Sequence, residues 1–312
     1  DLHGTGGPLW VQDINDLSPL TEAFFKAGDQ LQYRRNGDFN GPEQEGFGPY
    51  QVTQRGNKRC SAADAFLRPA LERDNCTVTT QAMVQRVIIE NGRATGVEVD
   101  IDGERKTFTA RKEVILSGGA INSPQTLLLS GIGPANELRD DGVSVEHDLP
   151  GVGKNLQDHL DITAQLWTKS ALSIGNSLRS MPSHLYMVAR WAMRGDGPFT
   201  NNPVQGGAFI KSAFAEDLPD LQLVFIPAIS NPHGIEKAWG HGVTLHVCQL
   251  YPKSRGEIRL KTTNPSDHPL IQPNYLDDEF DLDVMVDGLA KAREILDSPA
   301  FDFDRKAERF PG

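Results

Sequence analysis

The sequence predicts an α+β fold, and three features carry that reading. Residues 77–110 hold β-branched, alternating runs separated by Asn91-Gly92 and Asp102-Gly103, the pattern of an antiparallel meander. A second group of alternating segments, at 209–210, 221–226, 243–250 and 257–260, predicts another, mostly antiparallel sheet. Residues 281–296 place Leu282, Met285, Val286, Leu289, Ile295 and Leu296 on the apolar side of an amphipathic helix.

Taken in order, residues 1–59 are rich in Gly, Asn, Gln and Pro. One helix is predicted there, from Ser18 to about Gln32. Ser18 is a good N-cap, Pro19 suits the first helical position, and Glu22 falls in the first turn. The stretch NGDFNGPEQEGFGPYQV reads as a long loop, of the kind that is functional or packs over another domain. Residues 61–71 predict a short helix. Strands follow at 77–80, 84–89, 95–101 and 107–110. The apolar run Glu113-Val114-Ile115-Leu116 stops at Ser117-Gly118-Gly119-Ala120, a buried strand leading into a turn and then a helix. Ser123 is the expected cap of that helix, Pro124 its first residue, and Gly131 and Gly133 its end. A helix is predicted around 181–193, and no closing element is expected after the 281–296 helix.

With 312 residues the chain is long enough for two domains. Its net charge of −11 gives it no general electrostatic reason to bind nucleic acid or anionic lipid. No apolar run approaches a transmembrane span, and no signal peptide is visible. Three scattered cysteines, Cys60, Cys76 and Cys248, form neither a disulfide framework nor a metal cluster. They read as reduced thiols, so a cytoplasmic location is expected, with peripheral attachment to the inner membrane as the alternative.

The Ser117–Ala120 turn has two readings: a close approach to a cofactor, or a tight turn needed only for packing. Local chemistry alone favours packing. In DLPGVGKNLQDH, residues 148–159, the polar groups are read as tying down a Gly-Pro-rich loop rather than performing catalysis. His233, His241, His246 and His268 are dispersed, so no metal site is expected. There is no Gly-x-Ser-x-Gly elbow and no Gly-x-Gly-x-x-Gly fingerprint.

Residues 113–133, EVILSGGAINSPQTLLLSGIG, followed by 148–160, DLPGVGKNLQDHL, resemble the most characteristic block of the glucose–methanol–choline (GMC) oxidoreductases. HGTGGPLWV at 3–11, RCSAADAFLRPAL at 59–71 and SRGEIRLKTTNPSDHPLIQPNYL at 254–276 fall in that family's order. Within the family, the chain is most similar to bacterial FAD-dependent alcohol dehydrogenases, with choline dehydrogenase close behind. The resemblance implies part of a discontinuous, Rossmann-type FAD-binding domain at 60–160. It implies a substrate-binding domain, an antiparallel sheet flanked by helices, from 1–59 and 161–312. It also implies a middle section lacking both the pyrophosphate-binding turn and the segment with the catalytic histidine. No catalytic residue is therefore assigned, the chain alone is expected to be inactive, and FAD is not expected to stay with it.

The resemblance carries over a few residues. Val84 matches the position whose backbone meets adenine, and Ser117, Gly118 and Gly119 match the turn beside the adenosine half of FAD. Asn202, Gln205 and Phe209 belong to a segment facing the flavin. Gln205 stands where choline-using relatives carry a Glu, and a neutral amide attracts a cation far less. A neutral primary alcohol is the expected substrate, with Phe199, Val204 and Phe209 offering apolar surface and a quinone or carrier taking the electrons. The alternatives are a choline dehydrogenase-like enzyme, an oxidase or lyase on the same scaffold, and a non-catalytic binding module.

Overall fold

The computed structural model describes residues 2–14, 16–197, 200, 202–231, 234–235 and 239–312. Phe199 and His233 lie outside them. The helices are α1 (Pro19–Gln30), α2 (Arg68–Leu71), α3 (Gly119–Leu129), α4 (Ala135–Asp140), α5 (Met181–Arg194) and α6 (Glu279–Leu296). No helix among the described residues is long and apolar enough to cross a membrane.

The chain forms two compact units. One gathers the segment up to Cys76, His159–Tyr251 and the chain from Phe280 on; the other gathers Thr77–Asp158 and Pro252–Glu279. These divisions differ from the expected 60–160 boundaries at two places. Residues 60–76 stay with the first unit, and 252–279 join the second. The reason for the latter is a three-stranded sheet in which Gly256–Arg259 pairs with both Lys154–Leu156 and Leu270–Gln272. The 257–260 strand therefore does not belong to the large sheet.

The first unit is built on a six-stranded antiparallel sheet. Its order is Gly46–Pro49, Gly206–Ile210, Leu221–Ile226, Gly242–Gln249, Asp161–Thr168, Arg305–Phe310. Strand periodicity sends Leu221, Leu223 and Phe225, with Val243, Leu245 and Val247, into one core. Helix α1 buries Leu20, Ala23, Phe24 and Ala27 in that core, and the Phe24 ring stacks on Phe225 at 4.9 Å. Ser18 caps the helix as expected, its hydroxyl accepting the Leu20 N–H at 3.2 Å.

Three expectations about this unit are corrected. The segment read as a long loop supplies the edge strand Gly46–Pro49, and Phe47 between its two glycines is fully buried. Arg305–Phe310 closes the opposite edge, although Arg-Lys-Ala-Glu-Arg-Phe shows no apolar alternation. Charged residues suit an edge that must not recruit another strand. Finally, α6 does not bury Leu282 and Val286, which are exposed. Its inner stripe runs through Val284, Met285, Gly288, Ala292 and Ile295. Small residues in that stripe bring the helix close to the sheet: a Cβ on Gly288 would lie 2.7 Å from Val247 Cγ1.

In the second unit, Ala82–Glu90, Arg93–Ile101 and Glu104–Thr109 form the predicted meander. Asn91, Gly92, Asp102 and Gly103 all have positive φ, as two-residue hairpin turns require. Residues 77–80 and 113–117 are not strands, because neither stretch finds a ladder partner among the described residues. Helix α3 starts at Gly119, ahead of Ser123, and Pro124 lies inside it. Ser123 does not cap the helix in the expected way; its hydroxyl accepts the Gly118 N–H at 3.0 Å.

Lys154 joins three segments of this unit. Its ammonium lies 2.7 Å from Glu137 on α4 and 2.7 Å from Glu257. Desolvation opposes the charge, but hydrogen bonds to both carboxylates outweigh it and raise the pKa above the ordinary 10.5. A raised pKa stabilises the fold below that ordinary value, and the contribution is lost as pH rises through the folded value. Lys154→Met should cost about 1–2 kcal/mol at neutral pH, measured by urea denaturation, because Glu257 loses its cation and Glu137 keeps only Arg259 at 3.6 Å. Its difference from the parent should shrink as pH rises through the raised pKa of Lys154.

Candidate functional site

The expected cofactor-contact residues are brought together within the second unit. Val84 at the start of the meander and Ser117 and Gly118 before α3 line one pocket of about 440 Å³, with Ile115, Asn122 and Leu129. Gly119 does not line it; it is the first residue of α3 and has φ +78°. That left-handed backbone suits glycine, while an added Cβ would meet nothing within 4 Å. Glycine at 119 therefore answers to conformation rather than to crowding within the chain.

The pocket walls are held by hydrogen bonds. Ser130 Oγ accepts the Val87 N–H at 2.8 Å and donates to Thr126 O at 2.6 Å, which ties the meander to α3. Gln125 Nε2 donates to Asp267 O at 2.8 Å, fixing the loop that carries His268 against α3. The Asp267 carboxylate is itself occupied by Thr262 and Asn264. The lining that remains combines the apolar Val84, Ile115 and Leu129 with the polar Ser117, Asn122, Ser266 and His268.

The motif 148–159 ties down its surroundings, as its composition implied. Asp148 Oδ1 accepts the Ala135 N–H at 3.0 Å at the start of α4, and Asp158 accepts a hydrogen bond from the Tyr275 hydroxyl.

In the first unit, the sheet face opposite the α1–α6 core is polar. Its register sets Phe209, Gln222, Cys248 and Asp161 in one row and Gly207, Val224, His246 and Thr163 in the next. Phe209 packs edge-on against Phe39 at 5.0 Å, and Phe39 also touches Tyr50. The Tyr50 hydroxyl donates to Leu223 O at 3.1 Å and accepts from Gln222 at 2.9 Å. Burial pushes the Tyr50 phenol up to about 12, so it stays neutral.

Sequence reading missed a pair on this face. His246 Nδ1 lies 2.6 Å from an Asp161 carboxylate oxygen, and His246 Nε2 is buried with no hydrogen-bond partner among the described residues. At that distance Nδ1 donates a proton to Asp161, which fixes the orientation of the ring. The two residues are far apart in sequence, so no spacing motif could reveal them.

The other two expected substrate residues have structural partners. Gln205 is buried, and its Oε1 accepts from Ser18 N at 2.7 Å and from Thr21 Oγ1 at 2.9 Å at the start of α1. Asn202 Oδ1 accepts the Val204 N–H at 3.0 Å in an exposed turn.

Comparison with known proteins places this architecture. The N-terminal model of the GMC oxidoreductases matches residues 4–161, and the C-terminal model matches residues 252–312. The chain belongs to the GMC oxidoreductase family. It is 45% identical to an alcohol dehydrogenase [acceptor] of Pseudomonas putida, over 100% of the chain and 57% of that protein. It is 39% identical to an oxygen-dependent choline dehydrogenase of Photobacterium profundum, over 99% of the chain and 55% of that protein. Among solved structures, pyridoxine 4-oxidase from Mesorbium loti superposes with a TM-score of 0.84 at 28% identity, covering 99% of this chain and 57% of that one. A formate oxidase shares the fold with a TM-score of 0.88 at 23% identity, covering 99% of this chain and 58% of that one. The chain thus spans little more than half the length of the relatives it matches.

Proposed function

We propose that this chain is the central part of an FAD-dependent alcohol dehydrogenase. The enzyme oxidises a primary, neutral aliphatic or aromatic alcohol to the aldehyde and passes electrons to a quinone or another carrier. The observation that carries this reading is the convergence of Val84, Ser117 and Gly118 on one pocket, in a chain so similar to an acceptor-type alcohol dehydrogenase.

In this reading the second unit holds the adenosine half of FAD, and the polar sheet face of the first unit lies on the substrate side. The pocket suits the cofactor. Ile115 on its wall is 74% exposed, and a planar ring laid there would take that surface out of water. Ser117 and Asn122 would orient the ring's polar edge. Bound FAD would accept the hydride from the alcohol carbon. No residue of this chain is assigned as the base that removes the hydroxyl proton. Gln205 presents no charge, so nothing at that position holds a cation. Choline oxidation is the second reading, favoured by the similarity to choline dehydrogenases.

The 312-residue chain by itself is expected to hold little FAD, since no Gly-x-Gly-x-x-Gly turn occurs in it. A stoichiometric flavin band in its visible spectrum would count against that. In the whole protein, Ile115→Asp should lower retained flavin at least tenfold with an unchanged circular dichroism spectrum. Full flavin occupancy in that variant would remove the pocket from the reading.

A further inference from the structure

His246 sits in the middle of the six-stranded sheet, on the strand Gly242–Gln249, which is paired along both edges. Strand alternation turns it to the polar face, away from Val243, Leu245 and Val247 in the core. The residue is only 8% exposed. Among the described residues, the buried side-chain atoms without a hydrogen-bond partner are His246 Nε2, Gln249 Oε1 and Ser298 Oγ. Gln249 belongs to the core side of the same strand and Ser298 follows α6, so the imidazole is the case on the polar face. Buried polar atoms left in this way are rare, because each has given up its hydration for nothing in return.

The ring cannot turn to relieve this. Nδ1 is engaged with Asp161 at 2.6 Å, and the other Asp161 oxygen accepts the Cys248 thiol at 3.8 Å. Flipping the ring would give up the bond to the carboxylate. The row that holds His246 offers no partner either. Gly207 and Val224 have no polar side-chain atom, and Thr163, across on the next strand, is not bonded to Nε2. Two other candidate groups are already committed. The Tyr50 hydroxyl serves Leu223 O and Gln222, and Gln205 Oε1 serves Ser18 and Thr21. A nitrogen held still by a carboxylate behind it, on a fully paired strand, has the build of a group aimed at a ligand.

We infer that His246 Nε2 hydrogen-bonds the hydroxyl oxygen of the alcohol and orients it, with Asp161 as the positioning residue behind the ring. A hydroxyl both donates and accepts, so it answers Nε2 whether or not that nitrogen carries a proton. A neutral aliphatic alcohol has no other polar group, so this one contact fixes much of its orientation. The contact forms on binding. Nε2 is covered in the free protein, and hydrogen bonds of this kind commonly close only with the substrate in place. His246 holds the oxygen and is given no proton to remove. The inference rests on the reading of the polar sheet face as the substrate side.

The test is dye-linked oxidation of hexanol by the whole enzyme, with urea midpoints measured on the same preparations. His246→Asn places an amide near the position of Nδ1, able to donate to Asp161, and nothing at the position of Nε2. His246→Gln reaches the position of Nε2 and abandons Asp161. The Asn variant should fold and lose about tenfold or more in kcat/KM. The Gln variant should recover part of that loss although its urea midpoint is the lower of the two. A histidine that only braced the sheet predicts the opposite order, with activity following stability. That order, or an Asn variant within about twofold of the parent, would overturn the inference and leave the alcohol dehydrogenase reading standing. Loss of the fold in the Asn variant would mark the ring as a structural strut and overturn it too. A parent enzyme that oxidises no primary alcohol would overturn both.

Discussion

Gly207→Val should destabilise the first unit by about 3 kcal/mol or more, seen as a large drop in the urea midpoint. A Cβ at Gly207 would lie 2.2 Å from Leu223 O and 2.2 Å from the Tyr50 hydroxyl oxygen. Neither atom can yield cheaply. Leu223 belongs to the strand paired with Gly206–Ile210, and the Tyr50 hydroxyl is held between Leu223 O and Gln222 Nε2. Gly56→Ala, in the same unit, is the control. Its φ is +61° with nothing within 4 Å of the added carbon, so it measures backbone strain alone, about 1 kcal/mol. A Gly207→Val protein no less stable than the control would mean that the sheet register at this position is wrong.

The second large effect is expected in substrate choice by the whole enzyme. Medium-chain or aromatic primary alcohols should outcompete choline by about 10- to 1000-fold in kcat/KM, since each 1.4 kcal/mol or so is tenfold. The cause is the buried neutral amide of Gln205, which already accepts two hydrogen bonds from the start of α1. Gln205→Glu keeps an acceptor oxygen for Ser18 N and Thr21 Oγ1 and adds a negative charge beside a helix N-terminus, where the helix dipole favours it. The variant should fold, and it should shift the ratio toward choline. Dye-linked oxidation of choline and a series of linear alcohols gives the answer. Efficiency should rise with chain length until the pocket is full, about 0.8 kcal/mol per methylene. A parent enzyme that turns over choline as well as hexanol would discard the neutral-substrate reading. An unchanged ratio in Gln205→Glu would place the alcohol elsewhere.

What could be read from the sequence followed the strength of the local signal. The meander was legible because Asn91-Gly92 and Asp102-Gly103 adopt the positive φ that their turns demand. The start of α1 was legible because Ser18 and Pro19 act within one turn. The edge strand Gly46–Pro49 was not, since Gly-Phe-Gly-Pro reads as a turn until Phe47 finds a core. The inner stripe of α6 was misread because Gly288 and Ala292 carry no hydrophobic signal, yet they are the positions that let the sheet approach.

Site residues divided in the same way. Val84, Ser117 and Gly118 come from segments well separated along the chain, and only family resemblance linked them to one ligand before the pocket showed them together. The His246–Asp161 pair rests on strand register, and register across distant strands is a tertiary property. Nothing within either local segment encodes it.

The order of strands in the six-stranded sheet also bears on how the chain comes off the ribosome. Phe47 pairs with Ala208, 161 residues later, and Trp167 pairs with Ala307, 140 residues later. Such contacts close large loops before they return any stabilisation, which makes them slow to form. The hairpins from Ala82 to Thr109 close over two-residue turns and can form as soon as they emerge. During synthesis, therefore, the strand Gly46–Pro49 waits as an unpaired edge, with Phe47 still in water, until residues beyond 206 appear. Over that interval the nascent chain depends on the polar residues around Phe47, and on chaperones, to stay out of aggregates.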